Sequence, residues 1–118
     1  MSAEPGSRGM NRVFSKIEAC VSAGNYYEAH QMYRTLYFRH TAQKNYDDCL
    51  ELIYRGALTL LNKDQFTSGA DLTLLIIDTL DKKGDGINDN FELWVLRLGV
   101  LIRKIGPNTV ERETVVVR

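Results

Sequence analysis

Apolar residues along this chain recur at helical spacing, in segments separated by short polar breaks. The first predicted helix covers residues 11–23 and ends at Gly24, a residue type favoured just past a helix end. Apolar side chains occupy one side of it, while Arg12 and Lys16 lie four residues apart on another side. Residues 1–10 are rich in small and turn-forming residues and predict a disordered tail.

The second predicted helix begins at Asn25, and Glu28 three positions later suggests a capping box. Its main apolar stripe consists of Tyr26, Ala29, Tyr33, Leu36 and Tyr37. Tyr27, Arg34 and Phe38 form a second stripe, about 100° away around the helix. A surface helix needs one apolar stripe, so two stripes are typical of a helix held between neighbours on both sides, as in a solenoid.

Three further helices and the start of another follow along the chain. They are predicted from 46 to about 61, from 66 or 68 to 82, and over 91–105, with a new start at Asn108. No convincing strand is present. The prediction is an all-α fold, an α-solenoid of antiparallel helix pairs with about six helices. Because the last helix is too short to be stable alone, we expect a truncated chain.

Two helix starts resemble each other, which supports stacked pairs. Asn25-Tyr26-Tyr27-Glu28-Ala29 is echoed by Asn45-Tyr46-Asp47-Asp48-Cys49, with an aromatic residue at the start and a small residue three positions later. The small residue lets two helices approach, and the aromatic ring fills the space beside it. The pattern resembles tetratricopeptide repeats, but its spacing of about 20 residues differs from their 34, so the predicted repeats are irregular.

Composition argues against several classes of function. Hydrophobic residues make up 44% of the 118 residues and charged residues 25%, with a net charge of zero, so nothing global indicates nucleic acid or an anionic membrane. Charge is nevertheless uneven: residues 1–44 hold six Lys or Arg and three acidic residues, whereas 45–92 hold four and ten. Such a division could match a partner with the complementary pattern.

The cysteines and the apolar runs indicate a soluble intracellular protein. Cys20 and Cys49 have no metal-type spacing, and residues 1–12 lack the apolar core of a secretory peptide, so reduced thiols are expected. The longest apolar run, 72–77, is too short to cross a bilayer. We therefore expect a cytoplasmic protein without direct membrane insertion.

The segment 24–36, GNYYEAHQMYRTL, resembles the signature of the Golgi-to-ER traffic protein 4 family. YRGAL at 54–58, SGADL at 68–72 and the Pro-Asn turn at 107–108 match the family pattern in the same order. The resemblance covers residues 12–118 in register. It implies that residues 11–118 are the amino-terminal half of an α-solenoid.

The family resemblance also implies a function. Members are non-catalytic scaffolds in the cytosolic delivery of tail-anchored membrane proteins to the ER. Their amino-terminal helices bind the targeting ATPase. Their carboxy-terminal helices, mostly missing from this chain, hold a ubiquitin-like partner and, in animals, a BAG-type chaperone.

Contact residues for the ATPase follow in part from the same resemblance. Arg12 and Arg39 fall at positions where the family has basic side chains, and Asp71 falls at an acidic position linked to ATPase regulation. Lys16 is added by geometry, since it lies one helical turn from Arg12. Cys20 departs from the fungal pattern, which has a lysine there, so the basic patch is expected to differ.

Three more residues on the second helix complete the predicted contacts. Tyr27 belongs to the second stripe, and the stem of Arg34 can pack there while its head reaches solvent. His30 is a candidate contact as well, with packing or capping as the alternative. The tyrosines could also suggest stacking on RNA bases, but their helical spacing favours core packing.

An EF-hand-like loop offers a rival hypothesis of a calcium-responsive module. Residues 81–92 place Asp81, Asp85, Asp89 and Glu92 at ligand positions between two helices. Lys83 stands where another ligand belongs and would repel Ca²⁺, so a solvated connection is the preferred interpretation. A generic peptide-binding repeat protein is a further alternative.

Signatures of catalysis or of cofactor binding are missing from the sequence. His30 and His40 have no Cys or carboxylate at zinc-ligand spacing. Neither cysteine has an evident His partner with an orienting third group, and there is no phosphate-binding glycine loop. We therefore expect no enzyme activity and no cofactor.

Overall fold

The computed structural model describes residues 5–84 and 90–106, with side chains from Arg12 onward. All regular structure in these ranges is helical, which confirms the all-α prediction. The five helices are α1 (Pro5–Ser22), α2 (Tyr26–Ala42), α3 (Tyr46–Leu61), α4 (Phe66–Lys83) and α5 (Phe91–Ile105). The sixth helix start, at Asn108, lies outside the described residues.

Helix α1 begins at Pro5, six residues before the predicted start at Asn11. The expected tail over 1–10 therefore overlaps the helix, and residues 1–4 lie outside the described ranges. Proline is compatible with this position because the first helical residue has no intrahelical partner for its N–H. Because the segment is rich in turn-forming residues, the sequence did not predict that it begins a helix.

The first three connections share one turn geometry at a spacing of 20 residues. Gly24, Lys44 and Asp64 have φ values of 82°, 59° and 59°. In each turn the next backbone N–H reaches back to a carbonyl five residues earlier, as in a Schellman motif. The three bonds run from Asn25 to Cys20, from Asn45 to His40 and from Gln65 to Leu60. A regular turn of this kind reverses the chain into antiparallel neighbours.

The predicted capping box at Asn25 and Glu28 is wrong. Asn25 makes no side-chain cap hydrogen bond, and its backbone has a ψ of 64°. Capping residues normally have an extended backbone, with ψ above about 100°. Asn25 instead uses its backbone to close the preceding turn.

The register of the helices is that of a solenoid. His30 on α2 contacts Asp71 on α4, and Tyr37 contacts Asp78; each pair is 41 positions apart, so α2 and α4 run parallel. Between them α3 runs the opposite way, since Asp47 at its start pairs with Lys83 at the end of α4. The prediction of antiparallel helix pairs stacked into a solenoid is confirmed.

Small residues allow the helices to approach closely, as the sequence predicts. Ala29 and Cys49 are fully buried. The structure adds a third member of the series, Gly69, because a Cβ atom there would overlap the Leu61 side chain on α3. Close contact between α3 and α4 therefore depends on a residue without a side chain at this position.

The core runs through all five helices and consists mainly of aliphatic side chains. Its largest fully buried aliphatic members are Ile17, Leu50, Ile53, Leu60, Leu72, Ile76, Leu101 and Ile105. No described helix combines the length and apolarity that a membrane span requires.

The two aromatic rings of the second stripe of α2 are not covered by a neighbouring helix, contrary to the prediction. Tyr27 is 76% exposed and Phe38 is 55% exposed. Asp71 on α4 binds Arg34, the third member of the stripe, and α4 leaves the two rings in solvent. The solenoid therefore covers the first stripe of α2 but only Arg34 of the second.

Candidate functional site

Polar side chains cross from α2 to α4 in a row that we call the α2–α4 seam. Its members are His30, Arg34 and Tyr37 on α2 and Asp71, Asp78 and Lys82 on α4. The three α2 positions are separated by four and three residues, so they lie on one side of the helix. Asp71 and Asp78 are seven residues apart, two helical turns, and match that side in register.

Asp71 is the centre of the first half of the seam. His30 Nε2 lies 2.6 Å from Asp71 Oδ2. Arg34 Nη1 donates to the same carboxylate, at 2.7 Å to Oδ2 and 3.0 Å to Oδ1. The side chains of His30, Arg34 and Asp71 are 12%, 30% and 33% exposed. The seam thus holds an ion pair that is partly shielded from water and open on one side.

The charge state of Asp71 follows from these contacts. Partial burial acts to raise the pKa of Asp71, but the hydrogen bonds from His30 and Arg34 and their charges outweigh it, so the pKa lies below its ordinary value. A hydrogen bond from a cation favours the ionised carboxylate. Asp71 is therefore a carboxylate at neutral pH.

The second half of the seam is centred on Tyr37. Its hydroxyl donates to Asp78 Oδ2 at 2.6 Å and accepts a hydrogen bond from Lys82 Nζ at 3.2 Å. Burial raises the pKa of Tyr37, and the hydrogen bond to the Asp78 carboxylate raises it further. This cluster joins the second half of α2 to α4 and presents Lys82 at the rim.

Arg34 connects the seam to the exposed stripe of α2. Its guanidinium carbon lies 5.5 Å from the centre of the Phe38 ring. Tyr27, Arg34 and Phe38 are separated by seven and four residues and lie on one side of the helix; we call them the α2 strip. Two exposed aromatic rings on either side of a partly exposed arginine have the composition of a protein-binding hot spot.

Of the predicted contacts, His30, Arg34 and Asp71 come together in the seam. Arg12 and Lys16 are exposed on α1, and Arg39 is exposed in the last turn of α2. None of these three side chains forms an ion pair with another described residue. Their charges are accordingly available to an external acidic surface, whereas the Asp71 charge is already matched inside the chain.

The structure tests only part of the calcium hypothesis. Asp81 and Glu92 are exposed at the end of α4 and the start of α5, while Asp85 and Asp89 lie outside the described residues. Lys83 pairs with Asp47 on α3 at 2.9 Å. No group of three or more metal-ligating side chains occurs in the part of the chain that the structure describes.

Sequence reasoning missed Phe38 as a surface residue and missed the whole second half of the seam. Phe38 was visible at helical spacing from Arg34, but spacing alone does not distinguish a buried stripe from an exposed one. The second half of the seam, Tyr37, Asp78 and Lys82, could have been predicted from the sequence. Tyr37 and Asp78 are 41 positions apart, which is about twice the 20-residue spacing of the helix starts.

A second apolar surface lies on the outer side of α5. Phe91, Leu93, Val95 and Leu96 are 46%, 40%, 53% and 70% exposed. Among the described residues no neighbouring helix covers this surface. A Cβ atom on Gly99 of the same helix would meet nothing within 4 Å.

Comparison with known proteins places these features in a family context. The family model for GET4, Golgi to ER traffic protein 4, matches residues 43–118. The Golgi to ER traffic protein 4 homolog of Gallus gallus is 41% identical over 110 residues, which cover 93% of this chain and 34% of that protein. The homolog of Homo sapiens is 40% identical over 120 residues, which cover 99% of this chain and 36% of that protein.

A solved structure shows the same fold. The crystal structure of C. therm. Get4 matches with a TM-score of 0.79 at 23% identity, over 92% of this chain and 35% of that chain. Across these comparisons the chain spans about a third of the length of the proteins it matches.

Proposed function

This chain belongs to the Golgi to ER traffic protein 4 family, and on that basis we propose that it is a non-catalytic scaffold in the cytoplasmic delivery of tail-anchored membrane proteins to the ER. Its homologues are named as traffic proteins, which supports a role in ER traffic. The resemblance of 24–36 to the family signature supplies the more specific role, in which the first two helices bind the targeting ATPase.

One observation carries the docking proposal. Arg12, Lys16 and Arg39 are exposed, and no described residue pairs with them. Exposed cations that are not neutralised internally attract an acidic surface, which raises the association rate and makes binding sensitive to salt. The ATPase surface that meets α1 and α2 is accordingly acidic in this proposal.

The absence of catalysis is also part of the proposal. Burial raises the pKa of the Cys49 thiol to about 11, and Cys49 is fully buried, so it is a poor nucleophile at neutral pH. We propose no binding site for the ubiquitin-like partner or the BAG-type chaperone on the described helices. The resemblance implies that these proteins contact the carboxy-terminal helices of longer relatives.

Arg39→Glu provides the direct test of this docking mode. We expect the reversal to weaken binding of the purified chain to the targeting ATPase at low salt about tenfold, an order typical of a changed interface charge. Arg103→Glu on α5 is the matched control, since Arg103 is also exposed near a helix end. Equal binding of the Arg39→Glu variant and the unsubstituted chain would contradict the assignment, and unchanged circular dichroism would show that the helices persist.

A further inference from the structure

We propose that the outer side of α5 is a self-association surface, on which α5 of a second copy of this chain packs in the antiparallel direction. This surface is on a different helix from the docking residues proposed above. It consists of residues that recur at helical spacing on one side of α5, and we call it the α5 stripe. Its members are Glu92, Val95, Leu96, Gly99, Val100 and Arg103.

The α5 stripe faces away from the part of the solenoid that the structure describes. Trp94, Leu101 and Ile105 lie on the opposite side of α5 and are buried in the core. Within the stripe, Val95 and Leu96 are both more than half exposed. Exposed apolar side chains are usually scattered singly over a protein surface, so a continuous apolar stripe marks an interaction site.

The α5 stripe is complementary to itself. Its six positions are symmetric about the midpoint between residues 97 and 98. Antiparallel pairing of two copies about that midpoint produces three kinds of contact, which are Glu92 with Arg103, Val95 with Val100, and Leu96 with Gly99. A two-fold axis repeats each contact, because in an isologous interface residue i meets j and j meets i. A second copy therefore supplies every group that the stripe requires.

Gly99 provides the space that Leu96 of the second copy would occupy. A Cβ atom on Gly99 would meet nothing within 4 Å, so the backbone of α5 is open there. A residue without a side chain lets two helices approach closely, and the facing leucine can fill the gap beside it. Because Leu96 is 70% exposed in the single chain, its burial in the pair removes a large apolar area from water.

The charges at the two ends of the stripe favour the antiparallel orientation. Glu92 and Arg103 are exposed, and neither forms an ion pair with another described residue. Antiparallel pairing brings opposite charges together at both ends of the contact. Parallel pairing would place Glu92 beside Glu92 and Arg103 beside Arg103, and like charges across an interface are unfavourable. The stripe thus selects both its occupant and the direction in which that occupant binds.

Sedimentation velocity of the 118-residue chain over a range of concentrations measures this association. Helix α5 has 15 residues and is about 22 Å long, so the contact is small. We expect a dissociation constant on the order of 10–100 μM. Leu96→Asp should raise it at least about tenfold, because the charge would be buried without a partner.

Exchange of the end charges tests the antiparallel register. Glu92→Arg alone and Arg103→Glu alone each place like charges together at both ends, so we expect each variant to be monomeric at about 100 μM. The variant with both substitutions restores opposite charges and should associate like the unsubstituted chain. An equimolar mixture of the two single variants should form a heterodimer for the same reason. Lys63→Glu, at an exposed position in the turn after α3, is the control and should leave association unchanged.

Three results would overturn the inference. A chain that stays monomeric at about 1 mM would show that no second copy binds the stripe. Unchanged association of Leu96→Asp, with unchanged circular dichroism, would place the contact away from α5. Failure of the doubly substituted variant and of the mixture to associate would exclude the antiparallel register. The ATPase is absent from all these measurements, so their outcome does not depend on the proposed function.

Discussion

Arg34 of α2 reaches Asp71 of α4 through one nitrogen, which lies 2.7 Å from one carboxylate oxygen and 3.0 Å from the other. The two residues are 37 positions apart, so their pairing exists only in the folded solenoid. It joins the two parallel helices on one side of the stack and holds an arginine whose guanidinium carbon lies 5.5 Å from the centre of the exposed Phe38 ring. The stability of the contact between α2 and α4 should therefore depend on this pair of side chains.

Stability should depend on pH through Asp71. Its folded-state pKa lies below the ordinary value, so its contribution is complete above about pH 4 and is lost as the pH falls through the folded-state value. At pH 7 the free energy of unfolding of the unsubstituted chain should exceed that of the Asp71→Asn variant by no more than about 1 kcal/mol, because the Arg34–Asp71 pair is partly exposed. The difference should shrink below pH 4.

Urea denaturation at several pH values would measure this difference. Asp81→Asn is the control, because Asp81 is exposed at the end of the same helix. A stability difference for Asp71→Asn that grows as the pH falls below 4 would contradict the account.

The helices were predictable because their signals are local. The Tyr26–Tyr37 stripe and the stop at Gly24 depend on residues within a few positions, and the start of α2 follows from them. The Arg34–Asp71 pair was not predictable in the same way. Each residue could be identified as a candidate, yet no local pattern shows which carboxylate an arginine meets across 37 positions.

Local sequence patterns also did not predict which apolar side chains are exposed to solvent. Phe38 and Val95 both lie at core-like helical spacing, and both are more than half exposed. A stripe becomes core only if another helix covers it, and that depends on the angle at which neighbours stack. The same limitation explains why Phe38 was missed as part of the candidate site.

Close packing of α3 on α4 should make Gly69 intolerant of a side chain. The methyl group of Gly69→Ala would overlap Leu61, and overpacking of this kind costs about 1–3 kcal/mol. Gly99→Ala is the matched control, since Gly99 is also inside a helix but faces open space. That control should stabilise the protein by about 0.5–1 kcal/mol, because alanine favours helix.

Chemical denaturation of the two glycine variants gives the comparison. If the two variants had equal denaturant concentrations at the unfolding midpoint, α3 and α4 would not pack as closely as described.

The two cysteines should react at very different rates. Both are free thiols; Cys49 is fully buried and burial raises its pKa to about 11, whereas Cys20 is half-buried beside Glu28. Ellman's reagent at pH 8 should label one thiol of the native protein, and the second should require denaturant. Cys20→Ser should abolish the faster phase, and persistence of that phase would contradict the burial of Cys49.

The central claim is that the first two helices form the docking surface for the targeting ATPase, and amide hydrogen exchange of the chain with and without the ATPase tests it most directly. Binding should slow exchange in α1 and α2, with little change in α5, because stabilised helices open less often. Slower exchange confined to α5, where Phe91 and Leu96 are exposed, would contradict the claim and move the docking surface to the other end of the solenoid.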